Sequence, residues 1–267
     1  MLVAAARFIS PRVSVGGVRV DNSFIPVEGV GETTERRLWR EGITHWEAFD
    51  PSVVGPTTAD RIESFIADAR RRLEDGDADY FARSLPSAEQ WRLYESFRER
   101  ACFFDIETTG LESASSVVTT VSARQGGETT TLVRGRDLTA DALSSLFADA
   151  DLLVTFNGKR FDVPFLEDCF DISLSDKPHL DLMYPCRRLD LTGGLKTVER
   201  ELGIDRDRPD ISGREAVRLW REYERGDEAA LETLVEYNRE DVDNLQPLTE
   251  TVSDRLHRSV VPEDCPL

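Results

Sequence analysis

Three stretches of the sequence carry side chains whose types and spacing suit the chemistry of a divalent cation. Asp105 and Glu107 lie in FFDIETTGL (103–111), a short apolar run that ends in a threonine and glycine turn. Such a run reads as a buried strand, and the two-residue period of a strand puts both carboxylates on one side of it. Like charges held that close are costly unless something positive sits between them, and a hard divalent cation bound by oxygens is the usual solution. Asp162 closes NGKRFD (157–162), which follows directly on the apolar run 152–156. That is the C-terminal end of an expected strand, where open α/β sheets put their ligands. Tyr237 and Asp241, in EYNREDVDNL, are four residues apart and share one face of an expected helix.

The elements that must position these groups can be read in order. After the strand ending near Glu107, VVTTVSA from Val117 and ETTTLVRG from Glu128 are rich in valine and threonine and are separated by Gln125-Gly126-Gly127, which makes a hairpin. TADALSSLFAD reads as a helix, Leu152 to Phe156 as a buried strand, and Arg160 to Phe170 as a helix that tolerates Pro164 near its start. HLDLMYP supplies a short fifth strand. From Leu195 onward the chain is expected to be helical: LKTVEREL, then REAVRLWREYERG, then a long helix from Asp227 through about Val252. Three strands, a helix, a strand, a helix, a strand and then helices is the order of an RNase H-like mixed five-stranded α/β sheet.

With these motifs in place, the sequence resembles the DEDD exonuclease superfamily of the RNase H-like fold, in its tyrosine-bearing branch (DEDDy, DnaQ-like). FFDIETTGL matches the first motif through Asp105 and Glu107, FNGKRFDVPFL the second through Asn157, Phe161 and Asp162, and YNREDVDNL the third through Tyr237 and Asp241. The stretch from about Leu85 to Leu248, including GGLKTVERELGI, looks most like the YprB-type domains. The resemblance implies a metal-dependent 3'-5' exonuclease acting on DNA or RNA, with two Mg2+ or Mn2+ ions. By analogy, Asp105 would bridge both ions, Glu107 and Asp241 would complete the site on the nucleophile's side, Asp162 would hold the second ion, and Tyr237 would orient the attacking water. A non-catalytic nucleic-acid-binding or repair scaffold and a structure-specific endonuclease are the alternatives.

Ahead of this domain, SFIPVEGVGETTERRLWREGITHWEAF (23–49) resembles a helix-hairpin-helix, in which Gly29 and Gly31 flank Val30 and lead into a helix whose free N–H groups can hold a phosphate. The same spacing fits an ordinary helical connection, and Glu32 at the helix start opposes an incoming phosphate. The expected layout is a small module over 1–56, a helical linker over 57–98, the RNase H-like domain over 99–256 and a tail over 257–267. In the linker, one helix runs through Ile62, Phe65, Ile66 and Leu73 and a second, after Pro86, carries Trp91, Leu93, Tyr94 and Phe97. Aromatics at helical spacing are read as packing.

The formal net charge of −18, with Lys159, Lys177 and Lys196 as the lysines among the 33 basic residues, removes any argument for nucleic-acid binding from overall charge. A 40% hydrophobic content spread along the chain argues for a folded protein over a disordered one, and an acidic surface suits a salt-rich cytoplasm. The Debye length is roughly 3 Å at 1 M salt, so contacts there must be close. Cys102, Cys169, Cys186 and Cys265 form no Cys-x-x-Cys pair, which excludes a sequence-evident zinc site or disulfide framework. The N-terminal apolar residues are interrupted by Arg7 and Arg12, and no run approaches a membrane span, so a cytoplasmic location is expected. Among secondary candidates, Asn157 and Gly158 could approach the scissile nucleotide, and Lys196, after Gly193-Gly194, could meet a phosphate near a helix start or be simply an exposed lysine on a capped helix. Asp181 reads as an edge-strand residue near the site, His179 as a surface or satisfied histidine, and the arginines of 213–225 as a solvated helix face.

Overall fold

The computed structural model describes residues 18–262 and residue 265; Arg7, Arg12 and most of the expected tail beyond Val260 lie outside them. Helix α1 (Glu32–Arg40) starts after Gly31, whose extended backbone serves as N-cap. It is followed by α2 (Pro56–Glu74), α3 (Ala78–Ser84) and the short α4 (Leu93–Phe97). The strand β1 (Ala101–Thr108) then opens a hairpin of β2 (Val118–Gln125) and β3 (Glu128–Val133). Gly126 and Gly127 both have positive φ, at 58° and 87°, which is what a tight two-residue hairpin turn demands.

Helix α5 (Ala140–Phe147) begins at Thr139, whose hydroxyl accepts from the Ala142 N–H. Next come β4 (Leu152–Thr155), α6 (Asp162–Cys169), β5 (His179–Asp181) and α7 (Met183–Arg188). Helix α8 (Leu195–Leu202) stops at Gly203, whose φ of 73° is the left-handed C-cap. Helix α9 (Gly213–Tyr223) turns back into α10 (Glu228–Val260), 33 residues long, which is capped by Asp227 and contains Pro247.

The sheet order is β3-β2-β1-β4-β5, with the hairpin antiparallel to β1 and with β4 and β5 parallel to it. This is the five-stranded mixed sheet flanked by helices expected from the order of elements. The alternation along β1 divides the molecule. Cys102, Phe104 and Ile106 pack into a core with α5 and α6, whereas Ala101 and Phe103 face a second core that contains Val242, Leu245 and Leu248 of α10. Asp105 and Glu107 continue the second face, so strand period alone turns both carboxylates toward α10. The N-terminal helices share this second core, through Phe24, Leu38, Trp39, Ile62 and Phe81 among others.

Several details differ from the sequence reading. A helix not expected from the sequence, α3, follows α2 after three residues, and Asp77 caps it by accepting from the Tyr80 N–H. The segment after Pro86 starts as a 3-10 helix before becoming α4. HLDLMYP gives only a three-residue strand before turning helical, and α10 runs on to Val260 rather than stopping near Val252.

Candidate metal centre

The carboxylates come together where β1, α6 and α10 meet. One ligand oxygen each from Asp105, Glu107 and Asp241 lies within 4.8 Å of the others. Asp162, the first residue of α6, stands beside them: its Oδ1 accepts the Ile106 N–H from the middle of β1 over 3.2 Å. It lies near enough to Asp105 and Glu107 for its charge to push both of their pKa values up. The bonded oxygen fixes the Asp162 carboxyl against the strand.

Burial and mutual repulsion dominate the electrostatics. Asp105 is raised well above the usual carboxylate range by burial first, then by Asp162, Asp241 and Glu107. Glu107 is raised likewise by burial, Asp241 and Asp162, with Lys196 acting against them. Burial pushes Asp162 up to about 7. Burial also pushes Asp241 up to about 6, although Arg206 counteracts it. A set of hard oxygen donors that repel one another in a buried setting could hold a divalent metal ion, whose charge would relieve that repulsion.

Tyr237 lies one turn before Asp241 on α10, as expected. Burial, then Asp241, Glu107 and Asp105, raise its pKa, so the phenol stays protonated at neutral pH. The Lys196 ammonium lies 4.6 Å from the centroid of the Tyr237 ring and has no hydrogen-bond acceptor among the described residues. Lys196 is thus half-buried beside Tyr237 rather than exposed. Burial, followed by the nearby Arg206 charge, lowers its pKa.

Four further residues, Asn238, Thr120, Arg206 and Glu199, shape the centre, and none of them stands out in the sequence motifs. The side-chain amide of Asn238 donates to Asp105 Oδ2 over 2.8 Å while its Oδ1 accepts from the Thr120 hydroxyl at 3.0 Å. Arg206 pairs with Asp241, and its other branch pairs with Glu199 at 2.6 Å; Glu199 is fully buried in α8. The signal for Asn238 was available, because it lies three residues before Asp241 on the same helix face. Arg206 lies in the connection after α8, where no periodicity points anywhere.

The loop carrying Asn157 and Gly158 is held from below. Asp181, at the end of β5, accepts from the backbone N–H groups of Asn157, Lys159 and Met183 at 2.7, 3.1 and 3.0 Å. Asn157 has a left-handed φ of 70°, and a Cβ on Gly158 would lie 2.4 Å from the Thr155 hydroxyl oxygen. Thr155 Oγ1 in turn shares a 2.8 Å hydrogen bond with His179, which is buried and therefore satisfied rather than exposed. Gly29 has the left-handed φ of 87° that a tight hairpin needs, and Gly31 caps α1. No contact among the described residues joins either glycine to the carboxylates. Glu32 pairs instead with Arg188 of α7 at 2.6 Å, and the wholly buried Arg92 lies between Glu35 and Glu89.

No helix among the described residues is long and apolar enough to cross a membrane. No curated protein matches the chain. Among solved structures, a family B DNA polymerase from the hyperthermophilic archaeon Pyrobaculum calidifontis is 18% identical over 58% of this chain and 24% of its own, with a TM-score of 0.42. A nuclease solved in its apo form is 22% identical over 60% of this chain and 74% of its own, with a TM-score of 0.45. The chain thus spans about a quarter of the length of the polymerase, the first of these two. The family model of the RNase_H superfamily matches residues 102–253, more than half of the chain and a span that holds the four carboxylates and Tyr237, and the chain belongs to that superfamily.

Proposed function

We propose that the protein is a metal-dependent nuclease that hydrolyses phosphodiester bonds of DNA or RNA, acting as a 3'-5' exonuclease with two Mg2+ or Mn2+ ions. The observation that carries this reading is the convergence of Asp105, Glu107 and Asp241 within 4.8 Å, inside a superfamily domain. Asp105, Glu107 and Asp241 would hold one ion, and Asp105 with Asp162 the second. When bound, such a pair supplies charge stabilisation on the attacking and leaving oxygens of an in-line displacement.

The chain's own groups do the rest. The Tyr237 phenol, protonated at neutral pH, orients the attacking water by hydrogen bonding rather than by removing its proton. The Lys196 ammonium, unpartnered beside that ring, offers donors to a non-bridging phosphate oxygen. Asn157 and Gly158, fixed through Asp181, let the backbone approach the last nucleotide closely. The Gly29–Gly31 hairpin would hold the sugar-phosphate backbone farther along, as a module ahead of the helical linker and the RNase H-like domain.

A 3'-labelled oligonucleotide incubated with Mg2+ or Mn2+ tests the reading. Wild-type protein should release labelled mononucleotides from the 3' end, and Asp105→Asn should abolish the release. Equal degradation by that variant would sink the assignment, and internal fragments would move the reading to an endonuclease.

A further inference from the structure

The outer face of α9 carries arginines at positions 214, 218 and 221, and Arg225 follows in the turn just after the helix. The intervals of four and three residues keep the first three on one side of the helix, and Arg225 lines the same depression from the turn. Ala216, Leu219 and Trp220 occupy the opposite side and pack with Leu231, Leu234 and Tyr237 of α10. The four arginines are exposed and, with Val217, line a shallow depression that has no carboxylate among its described lining residues.

Arg218 is tied to Glu215 and Glu222. Arg214, Arg221 and Arg225 have no side-chain hydrogen bond or ion pair among the described residues. In a chain of net charge −18, where acidic partners for an arginine are abundant, such a row stands out.

Its placement selects the partner. Helices α9 and α10 form an antiparallel hairpin, so the Arg214 end of the row lies at the level of Tyr237 and the Arg225 end lies farther from the carboxylates. We propose that this row is a track for the sugar-phosphate backbone of a single nucleic-acid strand on its way to the carboxylate centre. Along the helix axis Arg214 to Arg221 span about 10 Å, and Arg225 extends the row into the turn. A stacked strand presents a charge every ~3.4 Å, so the helical part of the row faces about three phosphates. Flexible guanidinium groups suit this task, because they grip phosphate oxygens without reading bases. The inference rests on the nuclease reading for its direction along the strand, but it makes its own demand on binding.

The test is fluorescence anisotropy of labelled 20-nucleotide and 4-nucleotide strands without added metal, at low salt and over a salt series. The triple variant Arg214→Gln/Arg221→Gln/Arg225→Gln should lose at least tenfold in affinity for the longer strand. Its log–log salt slope should shrink by about two, since each phosphate contact on a single strand contributes about 0.7. The 4-nucleotide strand should bind more weakly than the 20-mer to wild type, and turnover of a dinucleotide, too short to reach from the carboxylates to the row, should stay at its wild-type value. A control that removes the same charge at Arg71, Arg83 and Arg258 should bind like wild type.

Unchanged affinity of the triple variant for the 20-mer would overturn the track. So would a loss matched by the control, or displacement of the strand by polyglutamate as effective as that by unlabelled strand, which would make the row a general polyanion or protein-docking surface. If wild type binds strands through the row but hydrolyses none with either metal, the nuclease reading fails while the track stands.

Discussion

Asn238 donates its side-chain amide to Asp105 across 2.8 Å, and its carbonyl oxygen is already taken by Thr120. The Thr120 bond fixes which end of the amide faces the carboxylate, and Thr120 is the residue paired with Glu107 across the β1–β2 ladder. The most crowded carboxylate in the molecule therefore owes its orientation to a hydrogen-bond relay from the neighbouring strand. Replacing Asn238 with Ala leaves the buried Thr120 hydroxyl and one Asp105 oxygen without that partner. The expected cost is about 1–3 kcal/mol, read as a lower urea midpoint at unchanged slope. Mn2+ affinity by calorimetry should fall as well, and full retention of both would deny Asn238 its role.

Arg206→Gln removes the cation from between two buried carboxylates. With Glu199 fully buried and Asp241 at 7% side-chain exposure, the loss should be about 3–5 kcal/mol in metal-free buffer. Saturating Mn2+ should restore the part owed to Asp241 and leave the part owed to Glu199. Arg206→Gln combined with Glu199→Gln should recover more stability than Arg206→Gln alone. Thermal melting with and without Mn2+ separates these contributions, and an unshifted midpoint for Arg206→Gln would contradict the arrangement.

The raised carboxylates set a pH dependence of definite sign. Their folded pKa values, about 7 for Asp162 and about 6 for Asp241, exceed the unfolded values of about 4. The folded metal-free protein therefore binds more protons than the unfolded chain in this window. These groups add stability as pH falls through 7 and 6, and lose it as pH rises. His179 acts oppositely: burial pushes it down to about 3, so it costs stability as pH falls below about 6.5. Comparing wild type with Asp162→Asn in EDTA isolates the carboxylate contribution, and the variant should gain less on acidification. Because protons and cation compete for the same oxygens, apparent Mn2+ affinity should rise from about pH 5.5 to about pH 8. Calorimetry in two buffers of different ionisation enthalpy should register proton release on binding. Absence of such release near neutrality would refute the protonated apo state.

Gly158→Ala tests the loop after β4. Its new Cβ would meet Thr155 Oγ1 at 2.4 Å and Thr155 Cβ at 2.6 Å, both on a strand residue that cannot swing away. Overpacking of this kind costs about 1–3 kcal/mol. If Asn157 and Gly158 also meet the terminal nucleotide, KM for an oligonucleotide should rise more than stability alone predicts. A variant as stable and active as wild type would show that the loop yields freely.

Much of this architecture was legible because it follows from period. Alternation in FFDIET put Asp105 and Glu107 on one face, and four-residue spacing put Tyr237 with Asp241; both depend only on backbone geometry. Helices α3 and α7 escaped notice because seven and six residues carry too little of a helical period to be distinguished from loop. Arg206 escaped for a different reason. Its partner Asp241 lies 35 residues away, and their meeting is decided by how α8 and its connection pack on α10. Lys196 was visible as a lysine near a helix start, but the packing that sets it over Tyr237 is tertiary.

Helix α10 has one more consequence. In its middle it carries Asp241, and near its end the Ser259 carbonyl accepts from the Arg36 guanidinium of α1 over 2.9 Å. Eighteen residues of helix separate the two, about 27 Å of axis. The helix is thus a ruler as well as a scaffold, and it sets a span of about eight stacked nucleotides for a strand that follows it from Asp241 to the Arg36 contact.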